Sequence, residues 1–147
     1  MTVDFPTFGA KKAAGGYPQG QIPILSLDDG TVMCQTHSIM RYLGKTLKGP
    51  KGELLYPVDN ADLTYDIDMN LRHEGDHINL YNGFFLPIHA DYKNKDENFA
   101  KYIAEDFPKY LENMGNTLHK AKDPLFLFGD QMTLADISTT AFFLKVV

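Results

Sequence analysis

The spacing of apolar positions changes character near residue 45 of the 147-residue chain. Before it the apolar runs are short: Ile24, Leu25 and Leu27, then Thr31 to Cys34, with Asp29-Gly30 between them. Two short β-favouring runs joined by Asp-Gly predict an antiparallel hairpin with a type I′ turn, because Gly accepts positive φ without steric cost. Behind it Ile39, Met40, Tyr42 and Leu43 fall at helical spacing, with Thr36 placed as N-cap and Gly44 as the C′ residue. The unit reads strand, tight turn, strand, capped helix. Pro23 opens the first strand, where proline sits on an edge or forms a cis bond in a tight turn. In the first nineteen residues the only regular element predicted is a helical turn at Ala10–Ala14, stopped by Gly15-Gly16.

After Gly44 come Gly49-Pro50, Gly52 and Tyr56-Pro57, which is loop and linker chemistry. From Leu63 the pattern is helical. Ile67, Met69, Leu71 and Ile78 mark one face, continued by Leu80, Phe84, Phe85 and Leu86 as far as Pro87, with Gly75 and Gly83 weakening it locally. Asp96 or Asn98 then serves as a cap. Phe99, Tyr102, Ile103, Leu111, Met114 and Leu118 form a second stripe, read as core or subunit contact, in which Pro108 either kinks the helix or starts a new one. Thr133-Leu134-Ala135-Asp136 is a capping box, with Met132 and Ile137 placed for a hydrophobic staple. Ala141, Phe142, Phe143 and Val146 make the helix behind it nearly all apolar, which predicts burial on every side. The fold class is therefore α/β followed by all-α, with lobes at 1–45 and 63–147 and a linker at 46–62.

Composition narrows the class of protein. A net charge of −5 argues against nucleic acid or anionic membrane as a default partner. No apolar run reaches the length of a membrane span, and no signal pattern opens the chain. One cysteine excludes an internal disulfide framework and fits a reducing, cytoplasmic compartment.

Candidate chemistry lies mainly in the hairpin unit. Pro23 leaves the Ile22 backbone free to pair with an extended ligand, and the helix start at Gln35-Thr36 favours a carboxylate. An extended, carboxylate-bearing peptide satisfies both; a buried hairpin with an ordinary N-cap explains the same residues without a ligand. His73-Glu74-Gly75-Asp76-His77 fits the zinc pattern H-E-x-x-H, but it holds a glycine and lacks a clear third ligand despite His89 and His119. It is read as coincidence, with no metal expected. Cys34 and Tyr17 have no evident activating neighbour.

Gly20-Gln-Ile-Pro-Ile-Leu, followed by Gln35-Thr36-His37-Ser38-Ile39-Met40-Arg41-Tyr42-Leu43, resembles the glutathione-binding half of cytosolic glutathione transferases, nearest the sigma, mu and pi pattern. The resemblance continues through Leu55-Tyr56-Pro57 to Leu134-Ala135-Asp136. It implies a partial thioredoxin-like lobe, then the family's helical lobe, in which the capping box of Thr133 and Asp136 is structural. It also implies glutathione as ligand, held by Gln21, Ile22, Pro23, Gln35 and Thr36, with Lys12 near the glycine carboxylate, and no other cofactor. In the family an acidic residue of the long helix reaches the partner's ligand across a dimer; here Arg72 lies near that place, with Asp68 and Asp76 a turn away. The strand that carries the family's catalytic Tyr or Ser has no counterpart in this sequence, so the catalytic residue is left unknown. Two functions follow: conjugation of the glutathione thiol to small electrophiles, where the full protein supplies the segment, or a non-catalytic subunit of a larger assembly. A homodimer or larger complex is the expected partner state.

Overall fold

The computed structural model describes residues 4–85, 93–118 and 125–146. Helix α1 (Phe5–Ala13) begins five residues before the predicted turn, because the Asp4 carboxylate accepts the Thr7 N–H at 2.8 Å and Pro6 fits the first turn. A 3-10 turn at Pro18–Gly20 leads to the cis Ile22–Pro23 bond and the hairpin. Strands β1 (Ile24–Ser26) and β2 (Val32–Cys34) pair antiparallel, Leu25 opposite Met33. The turn is not type I′. Gly30 donates to Leu27 O at 3.0 Å, Leu27 donates to Thr31 O at 2.9 Å, and of the loop residues Gly30 alone has positive φ. This is a three-residue loop with its bulge at Gly30, fixed by Asp29 accepting the Thr31 N–H at 2.8 Å.

Helix α2 (Thr36–Gly44) corrects two expectations. Thr36 is its first residue, and Gln35 occupies the cap position with φ 72° and ψ 115°. Gly44 is the last helical residue rather than a left-handed C′. Its lack of a side chain serves packing: a Cβ there would stand 2.7 Å from Leu134 Cδ1 and 2.9 Å from Tyr56 Cβ.

Helix α3 (Ala61–Phe85) runs unbroken for 25 residues through Gly75 and Gly83. Gly75 admits His37 of α2, whose Cε1 would lie 2.9 Å from a Cβ at that position. The inward face is Ile67, Asn70, Leu71 and Glu74, whereas Met69 and Leu80 are 37% and 44% exposed and leave the predicted stripe. Leu86, Pro87, His89 and His119 lie outside the described residues. Helix α4 (Lys95–Lys101) starts after Asn94, ahead of both predicted caps. It passes through a wide π turn at Tyr102–Asp106 into α5 (Phe107–Leu118). Pro108 has no N–H and its ring would press on the carbonyl four residues back, so the wide turn before it lets the helix continue.

Helix α6 (Leu134–Val146) buries one side only: Leu134, Ala135, Ser138, Thr139, Phe142 and Val146. Ile137 is 43% and Leu144 82% exposed, against the expected all-round burial. A continuous apolar run carries no period, so it cannot say which face is covered. At its start Asp136 accepts the Thr133 N–H at 2.7 Å, the reach-back half of a capping box, and also accepts the Thr133 hydroxyl at 2.8 Å. Its other oxygen accepts the Leu127 N–H at 2.7 Å, tying down the preceding loop.

Two clusters fill the interior. One joins Leu55, Tyr56, Ile67, Leu71, Leu134 and Ala135, with Met40 packed against it from α2. The other is aromatic, built on Tyr102, Tyr110, Met114, Phe142 and Val146. At the joint between the lobes Leu134 donates its N–H to Leu55 O at 2.9 Å, and Tyr56 donates to Gly44 O at 2.8 Å. Arg41 Nε meets Asp68 Oδ1 at 2.7 Å, and Tyr56 Oη donates to Asp68 Oδ2 at 3.1 Å.

Because Gly44 is a packing residue, Gly44→Ala should destabilise the chain by about 1–3 kcal/mol through overpacking. Thr133→Ala should cost about 1 kcal/mol through loss of the hydroxyl's bond to Asp136. Urea unfolding of both variants checks these values; a Gly44→Ala variant as stable as the parent would contradict the close approach.

Candidate functional site

The end of α1, the 3-10 turn, the residues before β1 and the start of α2 meet at one surface. Tyr17 is 7% exposed, its ring 5.1 Å from that of Phe8 and covered by Lys11 Nζ at 5.1 Å, which pins α1 to the turn. Lys12 lies across Gly20, where a Cβ would come within 3.0 Å of its Cε. Gln35 Nε2 donates to Gln19 Oε1 at 2.6 Å and to Gln21 Oε1 at 3.1 Å. Gln19 (φ 57°) and Gln35 (φ 72°) are the non-glycine residues with left-handed backbone among those described. Such conformations are unfavourable for a side-chain-bearing residue and concentrate at functional sites.

The structure therefore brings Lys12, Gln21 and Gln35 of the expected set together. Thr36 opens α2 beside them, exposed, and Gln35 gives this helix no side-chain cap. Ile22 is 54% exposed and Pro23 is exposed, next along the chain. Gln19 was missed, since nothing in Pro18-Gln19-Gly20 as a sequence shows that its side chain crosses to Gln35. Cys34 is half-buried at the end of β2.

A cleft of about 480 Å³ lies between α3 and α5, lined by Arg72, His73, Asp76, Asn113, Met114 and Thr117 among others. His37, packed on Gly75, links the start of α2 to this region. Burial lowers the His37 pKa, and the charges of Arg41 and Arg72 lower it further.

Residues 79–146 match the family model described as the C-terminal domain of glutathione S-transferase. Over 119 residues the chain is 29% identical to glutathione S-transferase GstA of Escherichia coli O157:H7, covering 81% of this chain and 54% of that protein. The chain thus spans about half the length of the curated relative it matches. Among solved structures, rat hPGDS complexed with a quinoline superposes with a TM-score of 0.77 at 19% identity, covering 98% of this chain and 64% of that one. A glutathione S-transferase domain-containing protein of Marinobacter aquaeolei VT8 gives 0.62 at 24% identity, covering 95% and 72%. The helical part of the chain is thus similar to the C-terminal domain of glutathione S-transferases, and most of the chain is similar to one such protein. The fold is the expected one, a partial thioredoxin-like lobe followed by the transferase helical lobe.

Other charged residues of α2 and α3 pair within the chain. Asp68 is held by Arg41 and Tyr56, and Arg72 pairs with Asp76 at 2.9 Å on the surface. Glu74 of the H-E-x-x-H sequence is fully buried and turned toward α6: Asn70 Nδ2 donates to it at 2.8 Å, and the Ser138 and Thr139 hydroxyls also donate. His73 and His77 face elsewhere, with ring centroids 5.0 and 4.8 Å from that of Tyr110. His77 Nδ1 and Tyr102 Oη are 3.3 Å apart. Burial lowers both imidazole pKa values and pushes the Tyr102 hydroxyl up to about 12. Among the described residues no group of three or more His, Cys, Asp or Glu is placed to hold a metal ion.

Burial raises the Glu74 pKa above its ordinary 4.5, outweighing the three hydrogen bonds that favour the carboxylate. The folded chain therefore retains a proton that the unfolded chain releases above that pH. The stabilisation from this group is complete below 4.5 and is lost as pH rises through the folded-state value. Glu74→Gln cannot titrate, so the stability difference between it and the parent should shift in the variant's favour as pH rises from 4.5 toward neutrality. Urea unfolding across that range measures it, and parallel pH curves would contradict the assignment.

Proposed function

We propose that this chain binds glutathione at the surface formed by Lys12, Gln21, Ile22, Pro23, Gln35 and Thr36. Where the whole protein supplies the catalytic segment, the thiol is conjugated there to small electrophiles. The carrying observation is the Gln19–Gln35–Gln21 amide cluster, held at an α2 start that has no side-chain cap. Beside it runs the exposed Ile22–Pro23 edge. An extended tripeptide would pair its backbone with Ile22 and set its γ-glutamyl end against Gln35 and Thr36. There helix N–H groups and the positive end of the helix dipole favour a carboxylate. Lys12 faces the glycine carboxylate.

Conjugation forms a carbon–sulfur bond from the glutathione thiolate, and the described residues assign no group to take the thiol proton. Tyr17 is buried beneath Phe8 and Lys11, and Cys34 closes a strand. The second reading is a transferase-like interaction subunit that keeps the fold without catalysis. A thiol-conjugation assay on the chain separates the two. The Gln-Ile-Pro and Gln-Thr segments support a sigma, mu or pi type member, and the proposed setting is a cytoplasmic homodimer or larger complex.

Gln35→Ala combined with Thr36→Ala should weaken glutathione binding at least about tenfold, because hydrogen bonds to a charged group are lost. Calorimetric titration measures this, and equal affinity in the double variant would remove the site.

A further inference from the structure

Glu74 is fully buried where α3 meets α6, and among the described residues no Lys, Arg or His forms an ion pair with it. Its partners are Asn70 on α3 and the Ser138 and Thr139 hydroxyls on α6, all on buried residues. From α5 the buried Tyr110 hydroxyl faces the same pocket, kept protonated by burial and then by the Glu74 charge. His73 beside Glu74 turns to the Tyr110 ring, and on the other side His37 of α2 packs on Gly75. The bonds fix where a proton sits. Asn70 Nδ2 donates both its protons, one to Glu74 Oε1 at 2.8 Å and one to Thr139 Oγ1 at 3.1 Å. Thr139, an acceptor there, turns its own proton to Oε1. With two donors on Oε1, the carboxyl proton belongs on Oε2, whose described partner is Ser138 Oγ.

We propose that Glu74 is a proton-operated latch: with a proton on Oε2 it donates to Ser138 and holds α6 on α3, and without that proton the joint loosens together with the seat of α2. The carboxylate form keeps its three donors but places a charge, with no cation beside it, against the apolar cluster of Leu71, Leu134 and Ala135. Burial already raises the Glu74 pKa, which fits retention of the proton. The coupling to α2 follows from position. Gly75, which admits His37, is the next residue along α3, and Leu134, which fills the space at Gly44, lies one turn before Ser138 on α6. Both contacts of α2 with the helical lobe therefore sit within a turn of the latch. This inference is independent of the glutathione reading.

The test uses Glu74→Gln as the permanently latched form, since its amide donates to Ser138 and its oxygen accepts from Asn70 and Thr139 without titrating. Amide hydrogen exchange is measured on the parent and the variant side by side, from about pH 5 to about pH 8. Taking the ratio of the two cancels the intrinsic pH dependence of exchange and the titration of His37 and His73. In α2 and α6 the parent should exchange progressively faster than the variant, by about tenfold per pH unit above the Glu74 midpoint, while α4 keeps a constant ratio. A constant ratio in α2 and α6 overturns the proposal. An equal rise in every element also overturns it, because Glu74 then sets global stability and latches nothing. If Glu74→Gln does not fold, the parent alone decides. The ¹³C shift of the Glu74 carboxyl carbon should titrate at the pH where α2 and α6 lose protection; a carboxyl ionised throughout, or titrating with no change in that protection, overturns the latch.

Discussion

The structure depends on the joint where the hairpin unit docks on the helical lobe. Leu134 opens α6 and touches three things there: its N–H bonds Leu55 O, its side chain fills the space left by Gly44, and it belongs to the cluster around Ile67 and Leu71. Arg41, Asp68 and Tyr56 close the same joint with a half-buried ion pair and a hydroxyl bond. A two-stranded hairpin by itself is marginally stable at best and needs packing against helices. It holds its shape because α3 and α6 supply the other side of its core.

That docking explains how an unfavourable backbone persists at the candidate site. Gln35 sits at φ 72° between β2, fixed by the hairpin, and α2, fixed by Gly44, His37 and Arg41. With both neighbours held, the residue between them keeps a conformation it would not choose freely. The same rigidity places the Gln35 amide within reach of Gln19 and Gln21. Packing more than 20 residues away in sequence thereby sets the geometry at the candidate site.

What the sequence revealed follows from where the information lies. The hairpin, α2, α3 and the capping box of α6 are written in local spacing and were legible from it. Gly44 was placed correctly at a helix end but for the wrong reason, because its constraint comes from Leu134, ninety residues on. Asn70 and Glu74 face α6 through Ser138 and Thr139, a pairing no single helix displays. The type I′ turn failed because Asp29 spends its side chain on Thr31 and keeps negative φ. At the site, Ile22, Pro23, Gln35 and Thr36 were read from the hairpin and the helix start, and Gln21 and Lys12 from the family resemblance. Gln19 contributes only through a side-chain bond across 16 positions.

The most direct measurement is a glutathione titration of the ¹⁵N-labelled chain followed residue by residue by NMR. The account predicts saturable shifts confined to Lys12, the 19–23 segment and the start of α2, including the Gln35 side-chain amide, with the interior of α3 and α6 unmoved. Shifts centred on the α3–α5 cleft, or none at saturating ligand, would contradict it.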